Sequence, residues 1–401
     1  MNTQSDMLKS NFRYFLLLMQ AVVNDTDAPE TDESINWQLL YEIAVNHSLG
    51  GMLYYAIQKL PENKRPEGEF MPYLAQMYRE QIVADLNLSF ETERILTLLS
   101  NEGIRCLPVK GIVTKADYPE PHLRSMTDVD ILIDADNRLK VEKLFLNNGY
   151  VKENTGDKDI AYRKDEILHF EMHHALLSES SPAYSYFSKI WERVSFRDDS
   201  LVALMNPEDA YIFMLEHLAV HMESGGAGIR MLIDIYLFNK KHESELDRVY
   251  VSNVLKDILL DDFEKSIVKL CENWFSGKYE PDVDSGKALF ILNSCTFGKT
   301  EISFLADNIK NFKESTSASN GFKRIIKKLF PSVKWMKLRF KAVDKLPLLY
   351  PVFIPVHWAD RLILKRNVNT ANLGSYFTSA DSDEAKALKA VYTSLGLKKR
   401  I

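Results

Sequence analysis

Apolar residues return at every fourth position through much of the first hundred residues, a spacing typical of an amphipathic helix. The longest such stripe consists of Leu74, Tyr78, Ile82, Leu86 and Phe90. It predicts one long helix that packs through this stripe and ends near Gly103, because glycine readily adopts the left-handed conformation that closes many helices. Gly50-Gly51 is interpreted as a break between two shorter helices. Residues 1–104 are therefore expected to be helical.

A two-residue period replaces the helical one between residues 105 and 205, which indicates strands. Strands are predicted at 105–109, 129–133, 150–152, 160–162 and 167–173. One helix is expected over 112–116, and another over 137–148, capped by Asp136 and stopped by Gly149. Strands interleaved with helices favour a mixed α/β sheet.

Helical spacing resumes after residue 205. The Asn-Pro-Glu-Asp sequence at 206–209 combines an asparagine cap, a proline at the first helical position and acids in the first turn. It predicts a helix that runs to about Met222. Further helices are expected over 231–238 and 247–275.

The predicted fold class is α+β, a small mixed β-sheet with large helical additions at both ends. The expected regions are a helical part at 1–104, an α/β core at 105–205, a helical domain packed on the core at 206–314, and a linker with a basic, aromatic segment at 315–401. Between Lys323 and Lys345 there are nine lysines or arginines and one acid, Asp344. We interpret this segment as a solvated basic face with buried aromatics, since no base-reading motif accompanies it, and nucleic-acid binding is not indicated.

Composition narrows the class of protein. A net charge of −6 over 401 residues is small and predicts no general attraction to nucleic acid or to anionic membranes. The three cysteines are too few and too widely spaced to suggest a disulfide framework or a zinc cluster, so a reducing cytoplasm is expected. The apolar run at 14–23 lacks a signal-peptide cleavage site, and the run at 346–358 is short and contains three prolines. No transmembrane helix is therefore predicted.

The strongest chemical signal is a pair of acids, Asp128 and Asp130, at the head of the strand that ends at Ile133. Residues two apart on a strand share a face, so these carboxylates repel one another unless a cation lies between them. Mg²⁺ is the natural candidate, with Mn²⁺ as an alternative. Glu171, on the polar face of a later strand, is expected to complete a three-carboxylate site.

Basic residues accompany the acids. Lys110-Gly111 occupies a predicted strand-to-helix turn where the backbone can approach a phosphate. Arg124 precedes Asp128 by four residues and is predicted to reach anionic oxygens near the metal. Lys110, Gly111 and Arg124 are therefore candidates to contact phosphate oxygens.

Several histidines leave two interpretations open. His217 and His221 are one helical turn apart and share a face, with Asp234 on the next helix. They either bind a metal or hold a substrate, or they are core histidines hydrogen-bonded to Asp234. His173, on the same strand face as Glu171, is a further candidate.

Taken together, these residues resemble a known family. The succession is Lys-Gly, Tyr-Pro, Arg-x-Met-x-Asp-x-Asp-Ile-Leu-Ile, a strand ending Glu-x-His, then His-x-x-x-His, Arg230 and Asp234. It is similar to the uncharacterised nucleotidyltransferase family of the DNA polymerase β-like superfamily. The resemblance implies Mg²⁺-dependent transfer of a nucleoside monophosphate from an NTP such as ATP to an acceptor. It also implies that Asp128, Asp130 and Glu171 are catalytic metal ligands and that Lys110, Gly111 and Arg124 bind the nucleotide. The candidates for the acceptor site are then His173, His217, His221, Arg230 and Asp234. Lys110-Gly111 departs from the Gly-Ser that the superfamily usually carries at the triphosphate.

Two other functions remain as alternatives: a metal-dependent phosphohydrolase that uses the histidines, and a non-catalytic module that binds a nucleotide or a partner. The sequence does not rank the acceptors, which include a small molecule, a protein side chain and an RNA end. It also leaves open which NTP is used.

Overall fold

The structure is a computed structural model that describes residues 3–30, 34–156, 158–296, 350 and 383–401. The basic segment between Lys323 and Lys345 and the linker before it lie outside the described residues. No described helix is long and apolar enough to cross a membrane.

Four helices form the N-terminal part: α1 (Thr3–Asn24), α2 (Trp37–Asn46), α3 (Gly50–Gln58) and α4 (Phe70–Asn101). The predicted break at Gly50-Gly51 is wrong by a few residues, since both glycines lie in the first turn of α3. The chain instead turns just before them, where Ser48 has a φ of 55°.

The long helix α4 confirms the predicted helix and its end, where Gly103 has a φ of 71°. Its buried face differs from the prediction, however, because Leu86 is 64% exposed and Phe90 is 74% exposed. A spacing of four residues advances about 40° beyond one full turn, so the stripe winds away from the core. In the second half of α4 the buried side chains include Leu88, Ile95 and Leu99.

The central sheet has five strands: β1 (Cys106–Val109), β2 (Val129–Ile133), β3 (Val151–Thr155), β4 (Asp159–Arg163) and β5 (His169–His173). Their spatial order is β1-β2-β5-β4-β3. β2 and β5 are parallel, and the other neighbours are antiparallel. A separate hairpin joins β6 (Ser195–Phe196) and β7 (Ala203–Leu204). The predicted mixed sheet is confirmed.

Short helices connect the strands: α5 (Gly111–Thr114), α6 (Arg138–Asn147) and α7 (Tyr184–Phe187). The predicted cap at Asp136 is wrong. This residue lies within the 3₁₀ turn Ala135–Asn137, and α6 starts after Asn137 without a side-chain cap.

The remaining described helices are α8 (Pro207–Glu223), α9 (Ile229–His242), α10 (Arg248–Asp257), α11 (Asp261–Phe275), α12 (Gly286–Ser294) and α13 (Asp383–Ser394). The Asn206 side chain accepts a hydrogen bond from the Asp209 backbone N–H and so begins α8 as predicted. The single helix expected over 247–275 is instead two helices, α10 and α11. The chain turns between them at Leu259, whose φ is 62°.

The two faces of the sheet belong to different cores. Val129, Ile131 and Phe170 pack in a cluster that includes the buried face of α4 and α6. Leu107 and Leu132 face the opposite way and join the large helical core with α8 and α9. This second face carries the polar residues of β2 and β5, so the candidate site lies between the sheet and the helical domain.

Candidate metal and nucleotide site

Asp130, Glu171 and His173 converge at the centre of the sheet. Asp130 on β2 lies directly opposite Glu171 on β5 in the parallel register, and His173 is two residues further along β5. One ligand atom from each of the three side chains lies within 4.8 Å of the other two. Two carboxylates and an imidazole at this spacing form a donor set that suits a divalent cation.

Asp130 already has two polar partners. Its Oδ1 atom lies 2.6 Å from Nζ of Lys110 and 2.6 Å from Nε2 of His173. Burial raises the pKa of this carboxyl, but the nearby Lys110 charge and the His173 hydrogen bond outweigh burial. The net pKa of Asp130 therefore lies well below its usual range, and the group is a carboxylate at neutral pH.

The pKa of Glu171 is shifted in the opposite direction, upward. Burial and the negative charges of Asp130 and Asp128 raise its pKa to about 7. Its Oε2 atom lies 3.6 Å from Nε2 of His173. Two adjacent carboxyls with pKa values moved in opposite directions provide one permanent anion and one group that exchanges a proton near neutral pH.

Asp128 stands just before β2, half-buried, and outside the 4.8 Å group. Burial and the charge of Asp130 raise its pKa. The Asp128 carboxylate therefore interacts electrostatically with Asp130 and Glu171, although it is not one of the three clustered residues.

Binding of Mn²⁺ at the cluster is expected to strengthen as the pH rises from about 6 to about 8, because a metal displaces the Glu171 proton. Below the pKa of about 7 the protonated form predominates, and the apparent affinity should fall about tenfold per pH unit. Isothermal titration calorimetry measures this slope. Glu171→Gln is the control, and an unchanged slope in that variant would show that another group titrates.

Lys110 holds an unusual backbone conformation, with a φ of 57° and a ψ of −132°. Residues other than glycine rarely adopt this combination of backbone torsion angles, and the conformation costs on the order of 1–3 kcal/mol. In this conformation Lys110 forms the turn between β1 and α5, and its Nζ atom reaches Asp130. Attraction to Asp130 raises the pKa of Lys110 despite its burial.

Replacing Lys110 by methionine is expected to tighten Mn²⁺ binding about tenfold, because the metal no longer displaces an ammonium group from Asp130. Calorimetry at a fixed pH tests this. The matched control is Lys115→Met, since Lys115 pairs with Asp85 instead. Equal or weaker binding by Lys110→Met would contradict a competition between lysine and metal.

Gly111 is required by a close approach. A Cβ atom there would lie 2.3 Å from Nη1 of Arg124 and 2.8 Å from Sδ of Met126. The glycine therefore lets the Arg124 guanidinium pack against the β1–α5 turn.

Arg124 is itself committed to a buried ion pair. Its Nε and Nη2 atoms donate to the carboxylate of Asp234 at 2.9 and 2.8 Å, and the Tyr118 hydroxyl donates to the same group at 2.8 Å. The Asp234 carboxylate thus pairs with Arg124 and Tyr118, whereas the sequence suggested His217 and His221 for it. Arg230 is also near, and its Nη1 donates to the Ser125 carbonyl at 2.6 Å. These contacts fix the loop that leads into β2.

His217 and His221 contact each other on α8, with 3.1 Å between their Nε2 atoms. Burial, and then the charge of Lys110, lower the pKa of both rings, that of His221 to about 4. Both imidazoles are therefore neutral at pH 7, and one Nε2–H donates to the other Nε2.

The family model described as uncharacterised nucleotidyltransferase matches residues 33–276, more than half of the chain. The chain belongs to this family. No curated protein and no solved structure matches it. The matched range contains all five strands of the nucleotidyltransferase sheet and the helices α8 and α9 that face it.

Two polar residues beside the Asp130, Glu171 and His173 cluster were not identified from the sequence. Asp159 opens β4 opposite His173, and its Oδ2 atom lies 3.7 Å from Nδ1 of that histidine. Burial and the charge of Lys110 lower the pKa of the neighbouring Lys158. The sequence predicted this strand to begin at Ile160, one residue after Asp159, so strand alternation was not applied to Asp159.

Proposed function

We propose that this nucleotidyltransferase moves a nucleoside monophosphate from an NTP to a hydroxyl-bearing acceptor with the help of Mg²⁺ or Mn²⁺. The convergence of Asp130, Glu171 and His173 on the sheet face that meets the helical domain carries the proposal. Membership in the nucleotidyltransferase family supports the same reaction class.

Asp130 and Glu171 would hold the metal through their carboxylates, with His173 beside them and Asp128 at the edge of the group. A divalent cation in such a site neutralises charge on the phosphate oxygens and on the departing pyrophosphate. Mg²⁺ and Mn²⁺ both accept carboxylate oxygens, and the imidazole nitrogen of His173 suits Mn²⁺ better than Mg²⁺.

The protein's own residues account for the proton. The acceptor oxygen attacks the α-phosphorus, the bond from that phosphorus to the bridging oxygen breaks, and pyrophosphate leaves. The hydroxyl proton passes to Glu171, whose carboxylate lies beside Asp130 in the candidate site. Lys110 supplies a positive charge beside Asp130, and we assign it to the phosphate oxygens of the NTP.

Arg124 contributes indirectly. Its pairing with Asp234 makes it a positioning residue for the loop before β2. It also packs against Gly111 and so supports the β1–α5 turn.

The pairing of Arg124 with Asp234 also bears on the hydrolase alternative. That chemistry would use Asp234 together with His217 and His221, whereas Asp234 here neutralises an arginine.

The proposal is tested by incubation with each of the four NTPs, labelled at the α-phosphate, with Mg²⁺ or Mn²⁺ and a cell extract that supplies acceptors. Metal-dependent label on protein, RNA or small molecules from one NTP is the expected result. Metal-dependent binding of NTPs is measured in parallel by calorimetry. Absence of both label transfer and binding would overturn the proposal.

A further inference from the structure

A cavity of about 250 Å³ lies beside the candidate site, bounded by α5, the start of α8 and the end of α9. Apolar side chains make up most of its wall: Val109, Val113, Ala210, Phe213, Met214 and Phe238. A cavity of this size and lining encloses a compact ring system or a branched alkyl group.

The cavity and the candidate site share one residue, Lys110. Lys110 lines the cavity, and the Nζ atom of the same side chain lies 2.6 Å from Asp130. A second cavity of about 30 Å³ shares Lys110, Thr114 and Phe213 with the first and is also lined by His217. A molecule seated in the larger cavity therefore contacts Lys110, the residue that pairs with Asp130.

The polar groups of the cavity are few. The Thr114 hydroxyl is buried and has no hydrogen-bond partner among the described residues, which is costly for a buried donor. At the rim, His242 lies 2.9 Å from Asp117 and 3.0 Å from Glu245, so these three side chains satisfy one another. The polar groups of the wall are therefore either paired or turned away from the accessible surface, so the cavity favours an apolar ligand.

We infer that this cavity binds the apolar body of the acceptor, an alcohol or phenol whose hydroxyl points toward Asp130 and Glu171. The inference rests on the proposed function and names its acceptor class. A nucleobase fits the wall less well, because each base edge carries several donors and acceptors that would lose water without gaining a partner.

The test fills the cavity and measures binding, not turnover. Ala210→Phe adds a ring from α8, and Val113→Phe adds one at the mouth, where Val113 is 47% exposed and is easily replaced. Val249→Phe is the matched control, since Val249 is 73% exposed on α10 and does not line the cavity. Circular dichroism establishes which variants fold.

The acceptor probe is naphthol, which has one hydroxyl on a bicyclic apolar body, and the nucleotide probe is α,β-methylene-ATP with Mn²⁺. Naphthol is expected to bind the wild type and Val249→Phe equally and at least tenfold more weakly to each folded cavity variant. The affinity for α,β-methylene-ATP should stay within twofold in all of them.

Three results would overturn the inference: no naphthol binding by the wild type, naphthol binding that the cavity variants leave unchanged, or a parallel tenfold loss of nucleotide affinity. The last would place the base in the cavity. A failure of the proposed function gives a different result from a failure of this inference. In that case the wild type would bind naphthol, the cavity variants would bind it more weakly, and no metal-dependent nucleotide binding would be measured.

Discussion

Asp130→Asn is expected to lower the rate of nucleotidyl transfer at least about 100-fold while the protein remains folded. The substitution removes the charge of a cluster ligand but little volume. It also leaves the amide oxygen as a hydrogen-bond acceptor for Lys110 and His173, both of which lie 2.6 Å from Oδ1. The rate of α-phosphate label transfer is the measurement, together with calorimetric binding of Mn²⁺.

The matched control is Asp136→Asn, which removes the same charge from an exposed acid in the turn before α6. This variant should retain the wild-type rate. If Asp130→Asn also retained it, or if His217→Ala abolished activity while Asp130→Asn did not, the histidine-based hydrolase would become the better explanation.

Arg400→Ala is expected to lower the free energy of unfolding by about 3–5 kcal/mol, because it leaves two buried carboxylates without their cation. The Arg400 side chain is 1% exposed. Its Nη1 atom lies 2.8 Å from Glu216, and its Nε atom lies 2.6 Å from Glu223. Both glutamates belong to α8, the helix that carries His217 and His221.

Chemical denaturation followed by circular dichroism measures this loss. Lys399→Ala is the control from the neighbouring position, because Lys399 is half exposed and pairs with Asp261 at the surface. It should leave the unfolding midpoint unchanged, since surface ion pairs contribute little. A midpoint for Arg400→Ala equal to that of Lys399→Ala would show that the buried network does not stabilise the fold.

The sheet face on which Asp130 and Glu171 lie follows from the sequence alone. Alternation on β2 and β5 turns Val129 and Phe170 into one core, and Asp130 and Glu171 to the other side. Side chains two apart on any strand point the same way, so this prediction required no knowledge of the partners. The family was also readable, because its motifs are short stretches of contiguous sequence.

Helix packing was less predictable. A four-residue stripe describes the first turns of α4 well, where Leu74 is fully buried. Further along the helix it fails at Leu86 and Phe90, because burial depends on which surface the neighbouring elements present. The cap predicted for α6 was also wrong. The backbone forms a 3₁₀ turn through Asp136, and the helix that follows has no side-chain cap, which residue type alone does not reveal.

The sequence by itself determined the α+β class, the family, and the strand face that presents Asp130, Glu171 and His173. Only the tertiary structure decided how the charges are paired. Lys110 meets Asp130 twenty residues away, Arg124 meets Asp234 on a distant helix, and Arg400 anchors α8. Periodicity and short motifs encode local geometry, whereas a buried charge takes whichever partner the packed elements bring within reach.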